Sequence, residues 1–195
     1  MFVQIIEGRI RDKDAVQRQW QAWDEQCRPG AAGFLGSTGG VTDDGRFIAV
    51  ARFESEDAAG RNSERPEQTS WWQETSKLFD GEPSFTNSTE IDTWFGGGSD
   101  DAGFVQVMRG RGDRAAMNKL LEEMEPVLRK ERPELHGGIT AWDGDRFTDV
   151  VYFRSEAEAR EGEKKMGETP GSPGERLREV MEITEFIDLR EPLIR

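Results

Sequence analysis

The chain has 195 residues, enough for one large domain or two small ones of about 100 residues each. It carries 26 Lys and Arg against 39 Asp and Glu, a net charge of -13 with no basic run to reverse it locally, so nucleic acid and membrane surfaces are poor partners. A single cysteine, Cys27, excludes an intrachain disulfide, and a single histidine, His136, excludes a multi-His or Cys-rich metal site, so no metal is expected.

The first predicted element is a strand in residues 2–10, "FVQIIEGRI", in which Val3 and Ile5 alternate with Phe2, Gln4 and Ile6. A helix follows, with Val16, Trp20, Trp23 and Cys27 spaced as one buried stripe. Strands two and three are joined at Asp44-Gly45, a strong hairpin signal. Ser55 is then an N-cap for helix two, and Pro66 suits the first turn of its continuation, which carries Trp71 and Trp72. A final strand is expected within residues 84–94, "SFTNSTEIDTW".

At residues 104–112 the chain begins again, with "FVQVMRGRG". Here Val105 and Val107 alternate with Phe104, Gln106 and Met108. The next helix places Met117, Leu121, Met124 and Leu128 on one stripe, and Pro126 is expected to kink or shorten it. Asp143-Gly144 marks the second hairpin and Ser155 the second cap. In "MGETPGSPGERLREV" two prolines and three glycines force a loop before any helix resumes, and "EITEFIDL" supplies a last strand. Arg46, Phe47, Phe53, Ser55 and Glu56 recur in order as Arg146, Phe147, Phe153, Ser155 and Glu156. A repeat of about 100 residues is too long for a solenoid unit and fits a whole small domain. The expected division is a first repeat over 1–95, a Gly/Asp linker over 96–103 and a second repeat over 104–195.

Each copy reads βαββαβ, the ferredoxin-like order, an α+β fold with helices on one face of an antiparallel sheet. The other face of each sheet would be bare. Two sheets facing each other, with the helices outside, would form an α+β barrel and make the chain a pseudo-dimer of itself; further oligomerisation is left open.

With its doubled βαββαβ order, its "FVQ" openings and its "RFESEDAA" and "YFRSEAEA" junctions, one of them followed by "SWW", the chain resembles the dimeric α+β barrel superfamily. The closer resemblance is to antibiotic-biosynthesis-monooxygenase-like domains fused in tandem. That superfamily includes cofactor-free oxygenases, haem-degrading enzymes, cyclases and proteins without known chemistry. The resemblance implies a small-molecule-binding barrel, most concretely a cofactor-independent monooxygenase or related isomerase or cyclase acting on an aromatic or polyketide-like substrate. The alternative is a non-catalytic ligand-binding or protein-interaction scaffold. In the haem-degrading relatives helix two supplies a tryptophan and a histidine ligand; here that region has tryptophans and no histidine, so no cofactor is expected.

The candidate pocket follows from strand alternation. If the purely aliphatic faces pack under the helices, Gln4, Ile6, Gln106 and Met108 turn to the barrel interior, where an amide can donate and accept. The ordinary alternative is an amide satisfied by a neighbouring strand or by water. Arg52 and Tyr152 occupy matched positions on strand three and could hold an anionic or enolate oxygen, or simply be a strand-end arginine and a half-buried tyrosine. Trp71 and Trp72, about 100° apart on a helix, can border one cleft or plug it. Because the copies differ at matched positions, any site is expected to be single and asymmetric. No apolar run approaches the roughly 18 residues that span a bilayer and no signal peptide opens the chain, so a cytoplasmic protein is expected.

Overall fold

A computed structural model describes residues 1–167 and 171–195, and Pro170, one of the two prolines invoked for the loop before the last helix, lies outside the described residues. The chain forms two compact units, one of residues 1–89 with 191–195 and one of residues 90–190.

In the first unit, β1 (Phe2–Arg9) leads into α1 (Lys13–Gln26), whose N-cap Asp12 accepts a hydrogen bond from the Ala15 amide. Such a cap is worth about 1 kcal/mol. Its buried face presents Val16 and Trp20 to Phe47 and Ala49 of the sheet. β2 (Phe34–Val41) and β3 (Arg46–Phe53) are joined by a turn in which Gly45, at φ +83°, supplies the left-handed residue. Ser55 caps α2 (Glu56–Ser63), Pro66 opens α3 (Pro66–Thr75), and β4 (Ser84–Ser88) returns beside β1.

The second unit opens with β5 (Glu90–Trp94) and repeats the pattern with β6 (Phe104–Gly112), α4 (Arg114–Glu131), β7 (Leu135–Asp143), β8 (Arg146–Phe153), α5 (Glu156–Met166), α6 (Pro173–Val180) and β9 (Met181–Leu189). Contrary to expectation, α4 runs through Pro126 for 18 residues. Pro126 lies on the exposed side of the helix, where water can satisfy the carbonyl that its missing N–H leaves free. Met117, Leu120, Met124 and Leu128 form the buried stripe.

Both sheets are antiparallel and have five strands, in the orders β10-β2-β3-β1-β4 and β5-β7-β8-β6-β9, where β10 is Leu193–Ile194. The last four strands of each order are the ferredoxin-like set, so the chain is an α+β protein of two fused ferredoxin-like domains. The fifth strands depart from the expected domain limits: β5 lies within 1–95 yet joins the second sheet, and β10 lies within 104–195 yet joins the first. The single final strand expected over 84–94 is two strands: β4 pairs with β1, while β5 pairs with β7. Likewise the chain passes β9 and adds β10 to the edge of β2, where Ser37 and Arg195 exchange backbone hydrogen bonds of 2.7 and 2.9 Å.

The seat for β5 is made by a missing side chain. Trp94 pairs with Gly138, and a Cβ on Gly138 would fall 2.3 Å from the indole ring. Only glycine lets that ring lie flat on β7.

Candidate functional site

The strand registers decide which side chains can share a pocket. In the first sheet Val3 pairs with Arg52 and Gln4 with Ala51; in the second Val105 pairs with Tyr152, Gln106 with Val151 and Met108 with Asp149. Paired residues share a face. Gln4, Ile6, Phe47, Ala49 and Ala51 face α1 and α3, and Gln106, Met108, Asp149 and Val151 face α4, α5 and α6. This reverses the expected orientation: the aliphatic face of Val3, Ile5, Ile48 and Val50 is turned away from the helices. The helices bring tryptophans and methionines, which need the small or polar positions of a sheet face to leave space.

Arg52 and Tyr152 therefore do not join the amides. The Arg52 guanidinium lies over Gly36, whose Cβ would meet it at 2.3 Å. Tyr152, 1% exposed, is packed under the backbone of Gly98, at 2.9 Å from where a Cβ there would stand.

Gln4, Ile6, Trp71 and Trp72 do meet, in a cavity of about 90 Å³ in the first unit. Four tryptophans, Trp20, Trp23, Trp71 and Trp72, occupy most of the space between sheet and helices. Two are tied down: the Trp71 indole donates to the Gln19 carbonyl at 2.7 Å, and the Trp23 indole to Gln68 at 2.8 Å. The Gln4 amide donates to Asn87 on β4 at 3.2 Å.

The equivalent space in the second unit is a cavity of about 870 Å³, within the range of small-molecule sites. No tryptophan from α4, α5 or α6 enters it. Its walls are flexible and apolar, with Met108, Met117, Met166 and Met181, four of the six methionines of the chain, beside Leu177 and Phe153. Unbranched thioethers adapt to irregular apolar ligands better than branched side chains do.

Polar groups reach the cavity from both the sheet and the helices. Gln106 donates to Asp188 at 3.0 Å, and Asp188 also accepts from Arg160. Arg132 and Glu134 form a buried ion pair at 2.5 Å. Asp149 stands apart from these. It is 2% exposed, and its Oδ1 accepts from the Thr140 hydroxyl at 2.9 Å and the Trp94 indole at 3.3 Å. Among the described residues nothing donates to its Oδ2, and no cation pairs with it. Burial pushes the Asp149 carboxyl up to about 6, while the hydrogen bonds from Thr140 and Trp94 pull the other way. Such a group is ionised at neutral pH yet basic enough to take a proton.

Asp149 is not among the residues that strand alternation singled out. Its signal lay in the repeat: Arg46-Phe47-Ile48-Ala49 matches Arg146-Phe147-Thr148-Asp149, so a carboxylate stands where the first copy has a methyl. Across the register Ala49 faces Gly39, whereas Asp149 faces Thr140, so the carboxylate arrives with its hydrogen-bond donor. Among the described residues no cluster of three or more His, Cys, Asp or Glu is placed to hold a metal ion.

The fold is that of two ferredoxin-like domains in tandem. Over the whole chain it is similar to a "putative monooxygenase" from Lactobacillus acidophilus NCFM, with 9% identity, TM-score 0.65 and coverage of 100% of this chain and 99% of that one. A second "putative monooxygenase", from Fusobacterium nucleatum, is 7% identical with TM-score 0.63, covering 96% and 89%. An "anthrone oxidase-like protein" is 11% identical with TM-score 0.51, covering 96% and 89%. At these identities the likeness is one of fold. No protein-family model matches the sequence, and no curated protein matches it significantly.

Proposed function

We propose that the second unit is a small-molecule site and that the chain is a cofactor-independent monooxygenase acting on an aromatic, polyketide-like substrate with an activated C–H. The observation that carries this reading is Asp149, a buried carboxylate with one free oxygen on the wall of an 870 Å³ apolar cavity. The name of the anthrone oxidase-like relative by fold is consistent with it.

Oxidation without a cofactor asks three things of a protein: a base, a water-poor space and a bound orientation. Asp149 takes the proton from a methylene flanked by aromatic rings and a carbonyl, leaving a delocalised carbanion. The carbanion gives its electrons to dioxygen; one oxygen atom stays on carbon and the other leaves as water. The balance is CH2 + O2 → C=O + H2O. The methionine and leucine walls surround the substrate with apolar surface, and Gln106 and Arg160 line the same cavity, where a ring oxygen can be held.

Oxygen uptake with anthrone tests the reading. Asp149→Asn keeps the shape and removes the base, and loss of a general base costs roughly 10²–10⁴-fold in rate. Uptake by the wild type that falls to that extent supports the proposal. Uptake that is unchanged by Asp149→Asn contradicts it.

A further inference from the structure

We infer that the second-unit cavity also binds lipophilic amines, with the ammonium seated on Asp149 and the hydrocarbon among the methionines. The inference rests on the same cavity as the proposed function but not on its chemistry. An amine would occupy the place of the proton that Asp149 removes, and so compete with the substrate.

The argument begins with which charges are already spent. The described groups around the cavity include three guanidiniums, Arg132, Arg160 and Arg178, and four carboxylates, Asp149, Glu163, Glu182 and Asp188. Arg132, the C-cap of α4, is committed to Glu134, with both side chains 6% exposed. Arg160 on α5 is shared among Asp188, Glu163 and Glu156. Arg178 on α6 and Glu182 on β9 lie on the helix-and-edge side of the cavity, away from the β7–β8 seam that holds Asp149. None of these cations pairs with Asp149. Among the described residues its partners are the neutral Thr140 and Trp94, which satisfy one oxygen without neutralising the charge.

An unpaired buried carboxylate is costly, and a ligand cation that pairs with it recovers that cost. Anionic ligands meet the opposite situation, with a carboxylate of raised basicity on the wall and a chain of net charge -13 around it. The first unit offers no such seat, since Ala49 stands at the matching position.

Three probes of the same ring system separate charge from shape: 9-(aminomethyl)anthracene, 9-(hydroxymethyl)anthracene and anthracene-9-carboxylate. Titrated against the intact chain at pH 7.5, by probe fluorescence, the amine should bind about tenfold more tightly than the alcohol, the margin between charged and neutral hydrogen bonds. The carboxylate should bind weakest. At pH 5, with Asp149 protonated, the amine should fall to parity with the alcohol. In Asp149→Asn the amine should lose its advantage at pH 7.5 while the alcohol still binds, which shows that the variant is folded and the cavity intact. If the alcohol binds and the amine is no better, the amine inference fails and the cavity stands. If none of the three binds, both fail.

Discussion

The Trp94 indole and the Asp149 carboxylate, 55 residues apart in the chain, are joined by a hydrogen bond of 3.3 Å from Nε1 to Oδ1. Trp94 belongs to β5, which follows the last strand of the first βαββαβ set, and Asp149 to β8, at the heart of the second. The candidate base is therefore positioned by a residue from outside its own βαββαβ set. Replacing Trp94 by Phe keeps the ring over Gly138 and removes the donor. Because that hydrogen bond lowers the Asp149 pKa against burial, the variant should titrate at higher pH than the wild type. Carbon-detected NMR of the Asp149 carboxyl would show the midpoint moving up from about 6; a midpoint that stays or falls would contradict the positioning role.

The same burial makes a prediction about stability. A carboxyl whose folded pKa is raised from 3.8 to about 6 binds more protons in the folded than in the unfolded state across that interval. Its stabilising contribution is full below pH 3.8 and is lost as pH rises through about 6. The shift corresponds to about 3 kcal/mol. Asp149→Asn should therefore stabilise the chain at pH 8, by up to about that amount, and gain little at pH 4. Urea unfolding at the two pH values measures it, and equal effects at both would show that Asp149 is not buried as a charge.

Gly138 makes a third test. Gly138→Ala places a methyl 2.3 Å from the Trp94 ring, so the ring or the β5–β7 pairing must give way. Overpacking of this kind costs about 1–3 kcal/mol. Loss of amide protection in residues 90–94, read by hydrogen exchange, is the expected signature. Unchanged protection and stability would show that the ring moves freely.

Much of the fold was legible because it is written in local chemistry. Asp44-Gly45 and Asp143-Gly144 gave the hairpins, Ser55 and Ser155 the caps, and the repeat of Arg-Phe and Phe-x-Ser-Glu the doubled domain. The exchanged edge strands were not legible. Residues 84–94 alternate like one strand, and only the two sheets show that the chain changes partner at Thr89. The site was half legible. Gln4, Gln106 and Met108 line cavities, but a period of two separates faces without saying which face meets the helices. Asp149 is hard to read because a lone Asp beside a Thr has the pattern of an ordinary polar strand position. Its partner Trp94 reaches it through the strand exchange.

Deleting residues 191–195 tests that exchange in the first unit. The deletion removes β10, the paired backbone bonds between Ser37 and Arg195, and Leu193 from the cluster around Trp20. Amide protection should fall along β2 at residues 37–39 and stay unchanged along β7. Equal protection in the full and shortened chains would mean that β10 adds nothing to the sheet.

The central claim is that the ligand site is the cavity of the second unit, and methionine methyl NMR tests it most directly. The chain has six methionines, of which Met108, Met117, Met166 and Met181 line that cavity while Met1 and Met124 do not. On adding 9-(hydroxymethyl)anthracene to 13C-methyl-labelled protein, the four lining resonances should shift in a saturable manner and that of Met1 should stay in place. Saturable shifts confined to the Trp71 and Trp72 indole signals, with the four methyls unmoved, would put the site in the first unit and contradict the account.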